Sequence, residues 1–262
     1  MTVTLETTQL AHEDHGTGVP VVLLHAFPLD RRLWSPQVPE LSRACWLILP
    51  DCPGFGGTPS LPDGASIEDY AGLVVGLLDR LGVETAVVGG LSMGGYVTCA
   101  LARLYPERLR AVILADTKAG EDSPQVKEGR EATAASVLRE GPGPLAEQML
   151  DKLLPPSLPG RDIFSDEVQA MMLAASPEGI AAASRAMARR PDSLEALSRL
   201  DCPALVLVGE DDALTPPTEA ERMATAMPRA RLVRIPHAGH LSNLDQPQAF
   251  GKAVLEFLRE QG

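Results

Sequence analysis

The strongest chemical signal in the chain is five consecutive residues, Gly90-Leu91-Ser92-Met93-Gly94. An apolar run, Thr85-Ala86-Val87-Val88-Gly89, leads into them, and a stretch of helical composition follows. A serine on a tight strand-to-helix turn is held in a strained conformation that thrusts its Oγ forward. Residues two places to either side must be small, because strand and helix approach closely there. The helix N-terminus adds backbone N–H groups and a positive dipole, which suit a developing oxyanion. The five-residue pattern alone recurs by chance. Its setting between strand and helix, with glycine doubled on both sides, gives it weight. The competing reading is a glycine-rich phosphate turn, but the spacing differs from a dinucleotide fingerprint and no Gly-Lys-Ser/Thr occurs.

A nucleophilic serine needs a base, and five histidines limit the choice. His12 and His15 lie in a polar N-terminal segment. His237 and His240 lie in Pro236-His-Ala-Gly-His-Leu241, directly after an apolar run at 230–235. A loop at the C-terminal end of a parallel strand faces the same rim as Ser92. His240, following Gly239, is the better candidate, with His237 behind it. The acid that orients the histidine should also sit at a strand end. Residues 204–209 run into Glu210-Asp211-Asp212, and the spacing from Gly209 favours Asp212 over Asp211. Asp116, at the end of an earlier run, is a third candidate.

These three residues must be positioned by the elements around them. Short, nearly all-apolar runs at 19–25, 44–49, 85–90, 109–115, 204–209 and 230–235 read as parallel strands buried on both faces. Helical patterns lie between them at 34–43, 66–81, 95–105, 218–226 and 247–260. In the second of these, Ser66 and Asp69 form a capping box, and Tyr70, Leu73, Leu77 and Leu78 form one apolar stripe. Residues 3–9 and 11–15 could form an antiparallel edge pair. The alternation predicts a doubly wound α/β core.

From 117 to 200 the alternation stops. Leu145, Met149 and Leu153 recur at helical spacing, as do Phe164, Val168 and Met171, and Ile180, Ala183 and Met187, with a proline-rich break at 154–159. We expect a core of residues 1–116 and 201–262, and a helical cap of 117–200 over the strand ends where ligands bind in such sheets.

Composition narrows the function classes. A net charge of -12 disfavours nucleic acid and anionic membrane surfaces as partners. The N-terminal residues lack a basic segment followed by an apolar one, and no run is long enough to span a bilayer. Cys45, Cys52, Cys99 and Cys202 are scattered without metal-ligand spacing, so reduced thiols, a cytoplasmic location and no metal are expected.

The order Ser92, Asp212, His240 and the elbow around Ser92 resemble the α/β-hydrolase superfamily over nearly the whole chain. Leu24-His25-Ala26-Phe27-Pro28 resembles the family's oxyanion loop, which follows its third strand. Asp51-Cys-Pro-Gly54-Phe55-Gly56-Gly57-Thr58 is similar to its Asp-x-x-Gly-x-Gly-x-Ser segment. The resemblance implies an α/β-hydrolase fold: a mostly parallel, doubly wound sheet of about eight strands with an inserted helical cap. It also implies an oxyanion hole from the backbone N–H groups of Phe27 and Met93, and a supporting role for His25. Phe27 would line the acyl pocket, with Trp34, Met149, Met171 and Leu241 as further substrate contacts. Ala26 stands where many members have glycine, and its Cβ would be awkward at a positive φ.

Small carboxylesterases and 3-oxoadipate enol-lactonase-type hydrolases look most similar. The serine at the elbow argues against haloalkane dehalogenases and epoxide hydrolases, which use aspartate there. The expected activity is cofactor-free cleavage of small to medium esters or lactones through an acyl-enzyme on Ser92. A cap offering Ala, Met and Leu suggests uncharged substrates, although Arg185, Arg189 and Arg190 could bind a carboxylate. A C–C bond hydrolase, a thioesterase or a perhydrolase would use the same three residues, and a non-catalytic binding protein could retain them.

Overall fold

The apolar runs become strands because each of their faces finds cover. The computed structural model of the protein describes residues 8–154 and 161–260. Among these, one sheet contains β1 (His12–His15), β2 (Pro20–Leu24), β3 (Trp46–Pro50), β4 (Ala86–Leu91), β5 (Leu109–Ala115), β6 (Ala204–Gly209) and β7 (Ala230–Ile235). Their spatial order is β1-β3-β2-β4-β5-β6-β7. All pairings are parallel except that of β1, which runs antiparallel to β3 with His12 opposite Pro50. Along β2, Val21 and Leu23 enter one core cluster while Val22 and Leu24 enter the other. β6 divides the same way, with Leu205 and Leu207 against Val206 and Val208. Side chains of a strand alternate between faces, so two covered faces require an unbroken apolar run.

The edge differs from expectation. Residues 3–7 lie outside the described residues, residues 8–11 form no strand, and β1 pairs with β3 instead. The described sheet therefore has seven strands where about eight were expected.

Outside the stretch from β5 to β6, the α-helices among the described residues are α1 (Val38–Leu41), α2 (Ile67–Arg80), α3 (Met93–Leu104), α9 (Pro217–Ala226) and, after β7, α10 (Ser242–Asp245) and α11 (Pro247–Arg259). α2 starts with the predicted capping box: Ser66 Oγ accepts the Asp69 N–H, and the Asp69 carboxylate accepts the Ser66 N–H. Its Tyr70, Leu73, Leu77 and Leu78 are all buried. The helix expected over 34–43 breaks into a 3-10 turn, Arg31–Trp34, and the short α1, because Pro36 and Pro39 supply no N–H to a continuous ladder. α2, α3 and α9 cover one face of the sheet; α1 and α11 cover the other.

Between β5 and β6 the described chain runs through α4 (Pro124–Glu140), α5 (Gly143–Leu153), α6 (Arg161–Ala174), α7 (Pro177–Arg189) and α8 (Leu194–Ser198). The three apolar triplets found in the sequence fall on α5, α6 and α7. Of the proline-rich break, residues 155–159 lie outside the described residues. No helix among the described residues is long and apolar enough to cross a membrane.

Candidate active site

Ser92 sits between β4 and α3 with φ 54° and ψ -109°, a conformation that costs a non-glycine residue on the order of 1–3 kcal/mol. Its neighbours hold it there. The Ser92 N–H donates to Ala115 O at 3.0 Å, tying the turn to the end of β5. Its carbonyl accepts the Thr117 hydroxyl at 2.8 Å and the Tyr96 N–H at 3.2 Å. The flanking glycines are required by space: a Cβ on Gly90 would overlap the Gly94 backbone, and one on Gly94 would overlap the Leu24 carbonyl.

His240 comes from the loop after β7, and its Nε2 lies 2.9 Å from Ser92 Oγ. Its Nδ1 lies 2.9 Å from Asp212 Oδ2 and 3.1 Å from Oδ1. Asp212 follows β6; its Oδ1 accepts the N–H groups of Leu214 at 2.8 Å and Thr215 at 2.9 Å, and its Oδ2 accepts the Thr215 hydroxyl at 2.6 Å. A carboxylate only accepts, so the imidazole proton facing it must sit on Nδ1. That leaves the Nε2 lone pair to accept from the serine hydroxyl. The three residues named from sequence thus form one continuous hydrogen-bonded chain.

Electrostatics fit this tautomer. Burial alone would push Asp212 upward, but its bond to His240 and that residue's charge hold the carboxyl below its ordinary range. Burial would lower His240, yet the bond to Asp212 and the nearby carboxylates raise it above 6.5. The other candidates are elsewhere. His237 is exposed in a turn with φ 55°, Asp211 is exposed, and His12 and His15 lie on edge strand β1.

The segment after β2 is fastened from below. His25 is fully buried: its Nδ1–H donates to Ala26 O at 2.9 Å, and its Nε2 accepts the Cys52 N–H at 2.8 Å. Burial pushes this imidazole's pKa down, which keeps it neutral as that bonding requires. Asp51 accepts N–H groups from Arg31 at 2.9 Å and Gly57 at 2.8 Å, closing the neighbouring turn. Ala26 is not among the residues with positive φ, so its methyl group fits without backbone strain. Among the described residues, no acceptor engages the N–H of Phe27 or of Met93.

A cavity of about 400 Å³ lies over Ser92 and His240. Phe27, Leu214 and Thr215 line its core side, while α4, α5 and α7 contribute Val126, Leu145, Met149 and Met187. A family model described as an alpha/beta hydrolase fold matches residues 19–247. The chain belongs to the α/β-hydrolase family. An esterase from Thermogutta terrifontis, solved with malate bound, is 46% identical, with a TM-score of 0.94 over 97% of this chain and 94% of that one. The enol-lactonase of Burkholderia xenovorans LB400 is 30% identical, with a TM-score of 0.89 over 96% of this chain and 97% of that one. The 3-oxoadipate enol-lactonase 2 of Acinetobacter baylyi is 29% identical over 97% of this chain and 94% of its own length.

In this α/β hydrolase, Phe27 and Met149 line the cavity. Trp34, Met171 and Leu241 do not. All three are buried in the same core cluster as Phe250 of α11, with Trp34 against Phe250 at 5.9 Å between ring centroids. Their apolar surface closes the core. Arg185 is committed to Glu131 and Asp63, Arg189 donates to Ala65 O, and Arg190 is buried against Asp122. Reading the sequence missed Tyr96, Lys118, Asp122, Arg130, Thr215 and Lys152, all of which line the cavity. Thr215 had a local signal, a hydroxyl three residues after the candidate acid. No group of His, Cys, Asp and Glu among the described residues could hold a metal ion.

Asp116, the third acid candidate, is bonded away from the imidazole. It is wholly buried; its Oδ1 accepts the Gly209 N–H at 2.8 Å, and its Oδ2 bonds with the Ser242 hydroxyl. It therefore ties β5 to the end of β6 and to the loop carrying His240. Burial, reinforced by the charge of Asp212, pushes its carboxyl up to about 8. The folded chain keeps a proton that the unfolded chain loses near pH 4, so this group's contribution to stability falls as pH rises from about 4 through 8. Asp116→Asn imitates the protonated form, with an amide oxygen for Gly209 and an amide N–H for Ser242. The variant is expected to lose fewer degrees of thermal midpoint than wild type between pH 6 and pH 9, read by calorimetry.

Proposed function

We propose that the protein is a serine hydrolase that cleaves small to medium carboxylic esters or lactones through an acyl-enzyme on Ser92. The observation that carries this reading is the hydrogen-bonded chain Ser92–His240–Asp212, facing a cavity of about 400 Å³. His240 Nε2 takes the Ser92 proton as Oγ attacks the carbonyl carbon, and Asp212 stabilises the imidazolium that forms. The N–H groups of Phe27 and Met93, unpaired within the described protein, would receive the tetrahedral oxyanion. His240 then gives its proton to the leaving alkoxide. Water, deprotonated by the same imidazole, attacks the acyl carbon and releases the acid, restoring Ser92. The helices of residues 117–200 act as the cap, with residues 1–116 and 201–262 as the core that holds the three reacting side chains.

Treatment with a fluorophosphonate followed by peptide mass spectrometry tests the nucleophile. One adduct on the peptide carrying Ser92 is expected, and a folded protein that acquires none overturns the reading. The pH profile tests the base. His240 must be neutral to accept a proton, and its neighbours raise it above 6.5. The kcat/KM for a neutral ester should therefore fall on the acid side with an apparent pKa above 6.5 and a slope of one proton. An acid limb centred near 4 would point to a carboxylate instead.

A further inference from the structure

The cavity carries a charge that contradicts the expectation of a neutral substrate. Asp122 is buried in the segment that joins β5 to α4, and three cations converge on it. Lys118 Nζ lies 2.9 Å from Oδ1, Arg190 makes contacts at 2.8 and 2.9 Å, and the Arg130 guanidinium bonds to Oδ2. Burial alone would raise this carboxyl, but Arg190 and Arg130 hold it well below the usual range, so it stays ionised. One carboxylate neutralises one charge, which leaves the cluster with positive charge in excess. Arg190 sits over the Tyr96 ring at 3.8 Å, and its Nε has no partner among the described residues.

A further cation faces the same cavity from α5. Lys152 lines it, and no carboxylate among the described residues lies within ion-pair distance of its Nζ. The charged side chains lining the cavity are thus Lys118, Arg130 and Lys152 against Asp122 alone, with His240 neutral at its working pH. This occurs in a chain of net charge -12. The same cavity is lined by the apolar side chains of Leu145, Met149 and Met187. Low-dielectric walls focus the field of nearby charges into a cleft.

The geometry points to an ester that bears a free carboxylate as the substrate class, its anionic end held by Lys118, Arg130 and Lys152 while its carbonyl meets Ser92. This assignment rests on the serine hydrolase reading above. The carboxylate can lie in the acyl part, as in a dicarboxylic acid monoester, or in the alcohol part, as in an O-acylated hydroxy acid. The chemistry recognised at the cationic end is the same.

Matched pairs of esters separate the possibilities. Monomethyl glutarate against dimethyl glutarate places the charge in the acyl part, and acetoxyacetate against methyl acetoxyacetate places it in the alcohol part. Hydrolysis is followed by proton release. In at least one pair the anionic member should have a kcat/KM at least tenfold higher, and that ratio should shrink as ionic strength rises from 0.05 to 0.5 M. Lys152→Met, on an exposed residue with no fold partner to lose, should cut the anionic-to-neutral ratio severalfold. Lys118→Met should cut it about tenfold. Equal or greater turnover of the neutral member in both pairs overturns the assignment and leaves the serine hydrolase reading intact. So does a wild-type preference that both lysine variants retain. No turnover of any of the four esters overturns the assignment too. If the fluorophosphonate also leaves Ser92 unlabelled, the reading beneath it fails as well.

Discussion

Replacing Ser92 with alanine is expected to lower kcat on a turned-over ester by on the order of a millionfold, with His240→Ala losing a similar factor and the double variant losing little more. The reason is the geometry of one hydrogen bond. Nε2 of His240 lies 2.9 Å from Oγ, so in the proposed mechanism base and nucleophile act as a unit, and removing either abolishes the same step. What remains is binding, together with whatever the Phe27 and Met93 N–H groups contribute to a water attack. Single-turnover measurements distinguish this outcome from damage to binding: the acyl-enzyme burst should vanish in Ser92→Ala. Fold integrity has its own check, because Ser92 occupies a left-handed conformation that alanine tolerates no better. Circular dichroism of the variant should match wild type, since the N–H bond to Ala115 and the Thr117 bond to the carbonyl are both backbone-directed and survive the change. Loss of activity accompanied by an unfolded spectrum would leave the role of the hydroxyl without support; a retained fold with retained kcat would refute it.

The sequence made the site's floor legible and its roof largely opaque, for physical reasons. A buried parallel strand needs an unbroken apolar run, so β2, β4, β5 and β6 stand out, and the residues at their C-terminal ends can be located by counting. The turn at Ser92 needs glycine at positions 90 and 94 for steric reasons, which makes it visible as a pattern. The roof obeys weaker constraints. α4 buries only Ala134 and Val137 within its seventeen residues, so it shows almost no apolar stripe, and Arg130 on it could not be assigned a direction. Conversely, Trp34, Met171 and Leu241 look like a pocket wall because large apolar side chains suit either a cavity or a core. Only packing decides between them, and Trp34 is taken by Phe250. Asp116 and Asp212 each follow an apolar strand. What separates them is the loop after β7: Ser242, two residues past His240, reaches Asp116, while the imidazole itself reaches Asp212.

Asp212→Asn should cost about ten-thousandfold in kcat/KM although it removes no volume and leaves the fold intact. The argument lies in the donors already aimed at the carboxylate. Oδ1 receives two backbone N–H groups, from Leu214 and Thr215, and these cannot turn away. In the variant the amide oxygen must take that position, since an NH2 group there would face two donors and leave all of them unpaired. The amide nitrogen is then forced into the place of Oδ2, against His240 Nδ1 and the Thr215 hydroxyl. Its hydrogen requires Nδ1 to accept, which moves the imidazole proton to Nε2, the atom that must accept from Ser92. The nucleophile would then face a donor. Thr215, 3.3 Å from Nδ1 and bonded to Oδ2, can rotate its hydroxyl but cannot supply the missing negative charge. Asp212→Ala is expected to be less specific in its damage, because water could enter and leave Nδ1–H partly satisfied. A proton NMR signal from Nδ1–H in the far-downfield region should be present in wild type and absent in Asp212→Asn. An asparagine variant within tenfold of wild-type kcat/KM would mean that the carboxylate does not set the tautomer.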